Sequence, residues 1–275
     1  QDRLKMKQSS DDLQQFRHFF WKAYIGGIAG AGAQAANILP LMWMRTIMEV
    51  QYKNGGHMVE VARQLYATGG VKRFYRGLAP AMVLAPLSRC GDTAANELSL
   101  ASLSNTQLPL TIKTFCASVT AACFRVAILP LDTWKVNKQV HGRKGLEHLI
   151  AKARLDPLAL WHGSAGVLIV GVTGHFPWFF TNNYLAGNLP VLDIPLGRFV
   201  RNAFIGFSSS MVADITCNPI RVLKVQRQTS TTRLGYVEAA RSIVSSEGIT
   251  GLWGRGLKTR LLANGLQSAI FTVIW

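Results

Sequence analysis

Pro40-Leu-Met-Trp-Met-Arg45, Pro130-Leu-Asp-Thr-Trp-Lys135 and Pro219-Ile-Arg-Val-Leu-Lys224 are three versions of one pattern, a proline followed five residues later by a cation, spaced 90 and 89 residues apart. A second pattern follows each: Gly70-Val-Lys-Arg-Phe-Tyr-Arg-Gly77, Asp156-Pro-Leu-Ala-Leu-Trp-His-Gly163 and Gly248-Ile-Thr-Gly-Leu-Trp-Gly-Arg-Gly256. Two patterns recurring in the same order mark an internal repeat. In a membrane protein, parallel repeats imply pseudo-symmetry about the membrane normal, with a substrate site near the midplane where the repeats meet.

A membrane setting follows from the residues around the prolines. No charged side chain lies between Lys22 and Arg45, and the stretch from Gly163 through Phe180 is interrupted only by His175. At about 1.5 Å rise per residue such runs can cross a hydrocarbon core of about 30 Å. Hydrophobic residues make up 49% of the 275-residue chain and charged ones only 16%, so the spans must also be polar somewhere. Each repeat then reads as a helix kinked at its proline, a short amphipathic helix, and a second spanning helix. The expected spans are 19–48, 75–100, 109–139, 161–187, 196–228 and 254–275, with short surface helices near 55–66, 144–153 and 234–246. An N-terminal segment, 1–18, precedes repeats at 19–100, 109–187 and 196–275. The expected fold is thus an all-α membrane protein, six transmembrane helices in three tandem repeats forming a pseudo-threefold barrel.

The net charge of +16 raises the question of nucleic acid, which the placement of the charges answers. Basic residues concentrate in Arg45 to Arg76, Lys135 to Arg154 and Arg221 to Arg260, while Glu97 to Lys113 and Asn182 to Arg198 carry few charges. The basic stretches lack interleaved aromatic stacking platforms and alternate with spans, so no nucleic-acid partner is expected. The positive-inside bias puts them in the matrix, if the membrane is the mitochondrial inner membrane. Nothing ahead of Trp21 resembles an Arg- and Ser-rich cleavable transit peptide.

Enzyme and metal chemistry find no footing. Cys90, Cys116, Cys123 and Cys217 lie in apolar stretches with no C-x-x-C spacing, and no second histidine lies near His175 at ligand spacing, so no metal site is expected. There is no Ser/His/Asp set, no pair of catalytic carboxylates and no cofactor fingerprint. Gly27-Ile-Ala-Gly30-Ala-Gly32 follows no strand and carries no Lys-Ser/Thr, which favours close helix packing over a phosphate loop.

These motifs resemble the mitochondrial carrier family over essentially the whole chain. Odd helices of that family carry Pro-x-[Asp/Glu]-x-x-[Lys/Arg], and its even helices follow a Gly-x-x-x-aromatic-[Lys/Arg]-Gly element. The resemblance implies a six-helix barrel around a water-filled cavity, closed alternately by charge networks on its two faces, with no cofactor beyond cardiolipin as a bound lipid. On the matrix side it implies a gate of Pro40, Arg45, Pro130, Asp132, Lys135, Pro219, Arg221 and Lys224. Only the second motif is complete: Asp132 can pair with Lys224, but Met42 and Arg221 occupy the other acid positions. Arg45, Lys135 and Arg221 are therefore expected to lack their family partners. On the cytosolic side Glu97 follows Asn96, with Leu100 at the basic position; Asn182-Asn183 with Ala186 and Trp275 align with the same element.

The resemblance also implies substrate contacts. They fall at Arg89, Asp92 and Asn96 on helix two, Val170, Gly171, Gly174 and His175 on helix four, and Ala263 and Asn264 on helix six. Arg125 and Asp214, with Ala35 in the first repeat, should face the same cavity. The arginine common at the helix-six contact is missing. Such a set suits a small zwitterion better than a nucleotide, which needs several cations. Charges inside a span are functional by default. Arg125 and Asp214 could instead pair with each other, and His175 could be a cavity residue or a packed one beside a bend. Tyr75-Arg76-Gly77, Trp161-His162-Gly163 and Arg255-Gly256 open the even helices, where amides and dipole ends suit anionic head groups, as cardiolipin sites do in the family.

Two functions stand against each other. One is a solute carrier of the inner membrane moving a small metabolite by alternating access. The other is a carrier-derived scaffold, inactive in transport, serving as a subunit of a respiratory or ATP synthase complex. Intact repeats favour the first and the eroded gates favour the second.

Overall fold

The computed structural model describes residues 38–103, 106–107, 109–190, 197–230 and 234–274. Ala35, the glycines at 27–32, the N-terminal segment 1–18, most of the first expected span and Trp275 lie outside them. So do the side chains of Arg89, Asn96, Glu97 and His175. All regular structure among the described residues is helical. Helix α1 covers 38–54, followed by α2 (Met58–Phe74), α3 (Leu78–Ser102), α4 (Leu110–Ala127), α5 (Leu129–His141), α6 (Gly145–Leu155), α7 (Ser164–Thr173), α8 (His175–Asn188), α9 (Gly197–Thr229), α10 (Tyr236–Glu247), α11 (Ile249–Gly254) and α12 (Leu257–Ile274).

The expected helices three and four are each divided. The stretches Ile112–Ala127 and Leu129–Leu155 meet at a bend of 61°. Pro130 stands at the start of α5, where its missing N–H costs nothing and its ring stops α4 from running on. Helix four is divided into α7 and α8 only at Gly174, which lies three residues before Pro177 and whose own backbone stays helical (φ −71°, ψ −26°), so the two continue one stretch. In α9 the chain does the opposite and runs 33 residues through Pro219 without a break. The first short helix extends past 66 to Phe74, with a kink at Gly69 and Gly70. Among the described residues, Pro157–Asn188 is one stretch long and apolar enough to cross a membrane, and the bent pair is a second if it counts as one span. α9 is long enough but too polar.

Polar side chains share the interior with apolar ones, and large apolar side chains also face outward. Thr46, Thr133, Asn137, Ser209, Asn218 and Gln228 are fully buried, whereas Val83, Phe115, Phe180, Phe204 and Leu262 are exposed. Apolar side chains that turn outward in such numbers call for an apolar surrounding. Inside, the C-terminal halves of α1, α5 and α9 converge on a cluster of Met48, Tyr52, Val136, Val222 and Val225, with Ile243 of α10. Polar contacts tie the same ends: Asn137 Nδ2 donates to the Gln228 carbonyl at 3.2 Å and Gln226 Nε2 to the Tyr52 carbonyl at 3.3 Å.

Three glycines position the even helices. Gly77, Gly163 and Gly256 have φ of 97°, 103° and 67°, the left-handed region that favours glycine. Each lies against a proline-motif helix other than the one that precedes it: Gly77 on Lys135 and Gln139, Gly163 on Lys224 and Gln228, Gly256 on Met48 and Tyr52. The α5–α6 corner is tighter still, because a Cβ on Gly145 would sit 2.4 Å from the Asn137 carbonyl oxygen and 2.9 Å from the Lys138 Cα. Backbone cannot swing aside as a side chain can. Gly145→Ala should therefore cost about 1–3 kcal/mol and lower the thermal midpoint in detergent. Gly254→Ala, which meets nothing within 4 Å, should leave it unchanged, and equal midpoints for the two variants would refute this account of the corner.

Candidate functional site

A central cavity of about 430 Å³ is walled by α1, α3, α4, α5, α7, α9 and α12. Six cations reach it, Arg45, Arg125, Lys135, Arg221, Lys224 and Arg260, together with Glu49, Asp132, Tyr52, Gln139, Asn264 and Gln267. The convergence of the proline-motif helices explains why so much charge meets here, since each motif places its cation one turn beyond its proline.

Asp132 is the centre of the gate. Lys224 of α9 and Lys135 of its own helix each donate to it at 2.8 Å, and Gln228 Nε2 adds a bond at 3.2 Å. The Asp132–Lys224 pair is the one the complete motif implied. Lys135, expected to lack its family partner in a neighbouring motif, shares the carboxylate of its own motif. Arg221, expected to lack its family partner too, reaches Asp214, outside the motifs and two turns back on α9, at 3.0 Å. Among the described residues, Arg45 finds only a neutral partner, Gln267 Oε1 of α12 at 2.8 Å.

Asp214 decides between the two readings of its own charge and that of Arg125. It does not pair with Arg125; it takes Arg260 of α12 at 2.7 Å as well as Arg221, and Asn264 Nδ2 also donates to it. Arg260 is thus an arginine of helix six on the cavity wall, one turn before the position that was searched for it. Arg125 pairs instead with Asp92, through Nε at 3.0 Å and Nη2 at 2.6 Å.

The remaining expected contacts divide. Val170, Ala263 and Asn264 line the cavity. Gly171 faces Ala122 across the α4–α7 contact, where a Cβ would come within 2.9 Å of the alanine methyl. Gly174 lies beside Cys217 at the α7–α8 junction, so both glycines serve packing. Sequence reasoning missed Glu49, Tyr52, Arg260 and Gln267. For Glu49 a signal existed: it stands nine residues after Pro40, the register that Gln139 and Gln228 occupy after Pro130 and Pro219.

The elements expected to meet lipid are partly engaged by protein. Arg255 donates to Glu247 through Nε and Nη2 at 2.9 and 2.8 Å, and to the Lys53 carbonyl at 3.0 Å. Those bonds hold the Glu247 carboxyl below its usual range. His162 Nε2 lies 3.2 Å from the Asp156 carboxylate. Within the described residues no three His, Cys, Asp or Glu side chains gather as a metal site would require.

Comparison with known proteins agrees with this architecture. Residues 16–105 and 197–274 match the family described as mitochondrial carrier protein. Over 180 residues the chain is 28% identical to the mitochondrial glycine transporter of Mus musculus, an alignment covering 60% of this chain and 53% of that protein. Over 150 residues it is 27% identical to the mitochondrial arginine transporter BAC2 of Arabidopsis thaliana, covering 52% and 49%. The chain spans about half the length of the curated relatives it matches.

Proposed function

The chain belongs to the mitochondrial carrier protein family, and from that premise we propose that it moves a small zwitterionic metabolite of amino-acid type across the mitochondrial inner membrane by alternating access. The observation that carries this reading is the central cavity, about 430 Å³ and walled by charges of both signs from the odd and even helices. A volume of that order holds a small ligand and a few waters. Six spans in three repeats, 19–100, 109–187 and 196–275, would enclose it, with the basic loops in the matrix and cardiolipin at the starts of the even helices. The outward apolar faces and the polar interior support that arrangement.

In this mechanism the Asp132–Lys224 pair draws α5 to α9, and the Asp214 cluster draws α9 to α12. Opening toward the matrix requires those bonds to part, and closing on the other face repays part of the cost. The two relatives named above are an amino-acid pair, glycine and arginine, and the cavity's mixed signs suit both ends of such a molecule better than a phosphate chain.

One observation favours the scaffold reading: a single motif acid, Asp132, serves two motif cations. The test separates the two. Reconstituted in vesicles, the protein should show saturable uptake of radiolabelled glycine or arginine, accelerated by the same amino acid inside. Absent uptake across an amino-acid panel, with stoichiometric co-migration of the chain with a respiratory or ATP synthase complex on native electrophoresis, would overturn the carrier reading and leave the scaffold.

A further inference from the structure

The charges of the cavity are matched except on one helix face. Among the described residues, Lys135 and Lys224 bond to Asp132, Arg221 and Arg260 to Asp214, and Arg125 to Asp92. Arg45 of α1 bonds only the neutral Gln267 amide oxygen. Four residues on, Glu49 is 8% exposed, lines the same cavity, and has an Oε2 with no hydrogen-bond partner. Its charged neighbours are Lys135, Lys224, Asp132 and Arg260, whose bonds go to one another or to Asp214.

Residues four apart share a helix face with Cβ atoms about 5–6 Å apart. Arg45 and Glu49 nonetheless form no ion pair, so a cation with a neutral partner and a carboxylate with an unused oxygen stand side by side at a cavity. A buried carboxylate oxygen without a donor is costly. In the other two repeats this register holds Gln139 and Gln228, whose Oε1 atoms are likewise buried without a partner but belong to neutral amides, for which the cost is smaller than for a carboxylate. The carboxylate at 49 puts a charge where the internal repeats have none.

We propose that Arg45 and Glu49 form a two-point site for the zwitterionic end of an α-amino acid, the guanidinium taking its carboxylate in place of Gln267 and Glu49 Oε2 accepting from its ammonium. The site rests on the carrier reading and deepens it, because it sets the substrate class by its α-carbon ends and leaves the side chain to the rest of the cavity. Arginine is suited to the task, since its planar fork meets a carboxylate with two parallel bonds. The ligand would also neutralise the one cavity-wall cation that, among the described residues, the protein leaves without a carboxylate.

Uptake of radiolabelled glycine and arginine into reconstituted vesicles tests the site. Arg45→Gln and Glu49→Gln should each raise KM about 10- to 100-fold, the worth of one charge-assisted bond. Glu49→Asp should recover part of the loss. Acetate and methylamine, which carry one end each, should compete at least about tenfold more weakly than glycine. In the wild-type protein, glycine should slow carbodiimide modification of Glu49, a readout that needs no variant to fold. KM within twofold of wild type in both glutamine variants, or an unchanged modification rate, would overturn the site while leaving the carrier reading intact. Wild-type vesicles that take up no member of an amino-acid panel, from a chain that co-migrates with a larger complex, would remove the carrier reading, and the site with it.

Discussion

Asp132→Ala should be among the most damaging single substitutions in the chain, lowering stability by about 3–5 kcal/mol and abolishing uptake. The carboxylate is only 15% exposed, and both lysines that bond it are 20% exposed. Removing it leaves two cations together in a poorly hydrated place, and that uncompensated charge, rather than the lost attraction, sets the cost. Asp132→Asn keeps the shape and should still lose most of the stability, because an amide cannot balance either lysine. Asp92→Ala is the comparison: its partner Arg125 is 45% exposed, and an exposed pair contributes about 0–1 kcal/mol. Thermal unfolding in detergent reads all three variants. Equal losses for Asp132→Ala and Asp92→Ala would mean that the gate is no more buried than the cavity mouth.

How much of this was legible in the sequence depends on how local each determinant is. The helical fold and several of its turns were legible because the proline and glycine motifs act on the nearest turn of backbone. Pro130 stops α4, as its missing donor dictates, and Gly77, Gly163 and Gly256 take the left-handed backbone that opens the even helices. Even so, proline did not decide alone: α9 passes through Pro219 unbroken, with Val222 and Val225 just beyond it buried against α1 and α5. Charge pairing was less legible, since it depends on which turns of different helices come to face each other. Arg221 looked unpaired while only motif acids were considered, and its partner lies seven residues back on its own helix. Arg260 lies four residues beyond Gly256, in no recurring pattern, and only the approach of α12 to α9 brings it to Asp214. Glu49 lay in plain view once the three repeats were aligned beyond their cations, as the acid opposite two glutamines.

Asp214→Ala should rival Asp132→Ala, because it removes the acid on which α9 and α12 meet. Asp214 is 7% exposed in its side chain, with Arg260 at 2.7 Å, Arg221 at 3.0 Å and the Asn264 amide also donating. Two guanidiniums held together by one carboxylate repel each other once it is gone, and the loss should again be about 3–5 kcal/mol. A double-mutant cycle apportions it. If Arg260 is the partner that matters across the helix interface, Asp214→Ala with Arg260→Ala should be less destabilising than the sum of the single changes, by about 0.5–3 kcal/mol. The pair Asp214→Ala with Arg221→Ala should then show the smaller coupling, since both residues lie on α9 and their bond holds no second helix. Reversal of that order would assign the carboxylate to straightening α9 through Pro219 rather than to joining it to α12. The order has a consequence for transport, because an interhelical bond must part when the cavity opens and a bond within α9 need not. Arg260→Ala should then raise the rate of opening relative to closing, whereas Arg221→Ala should change stability with little effect on exchange.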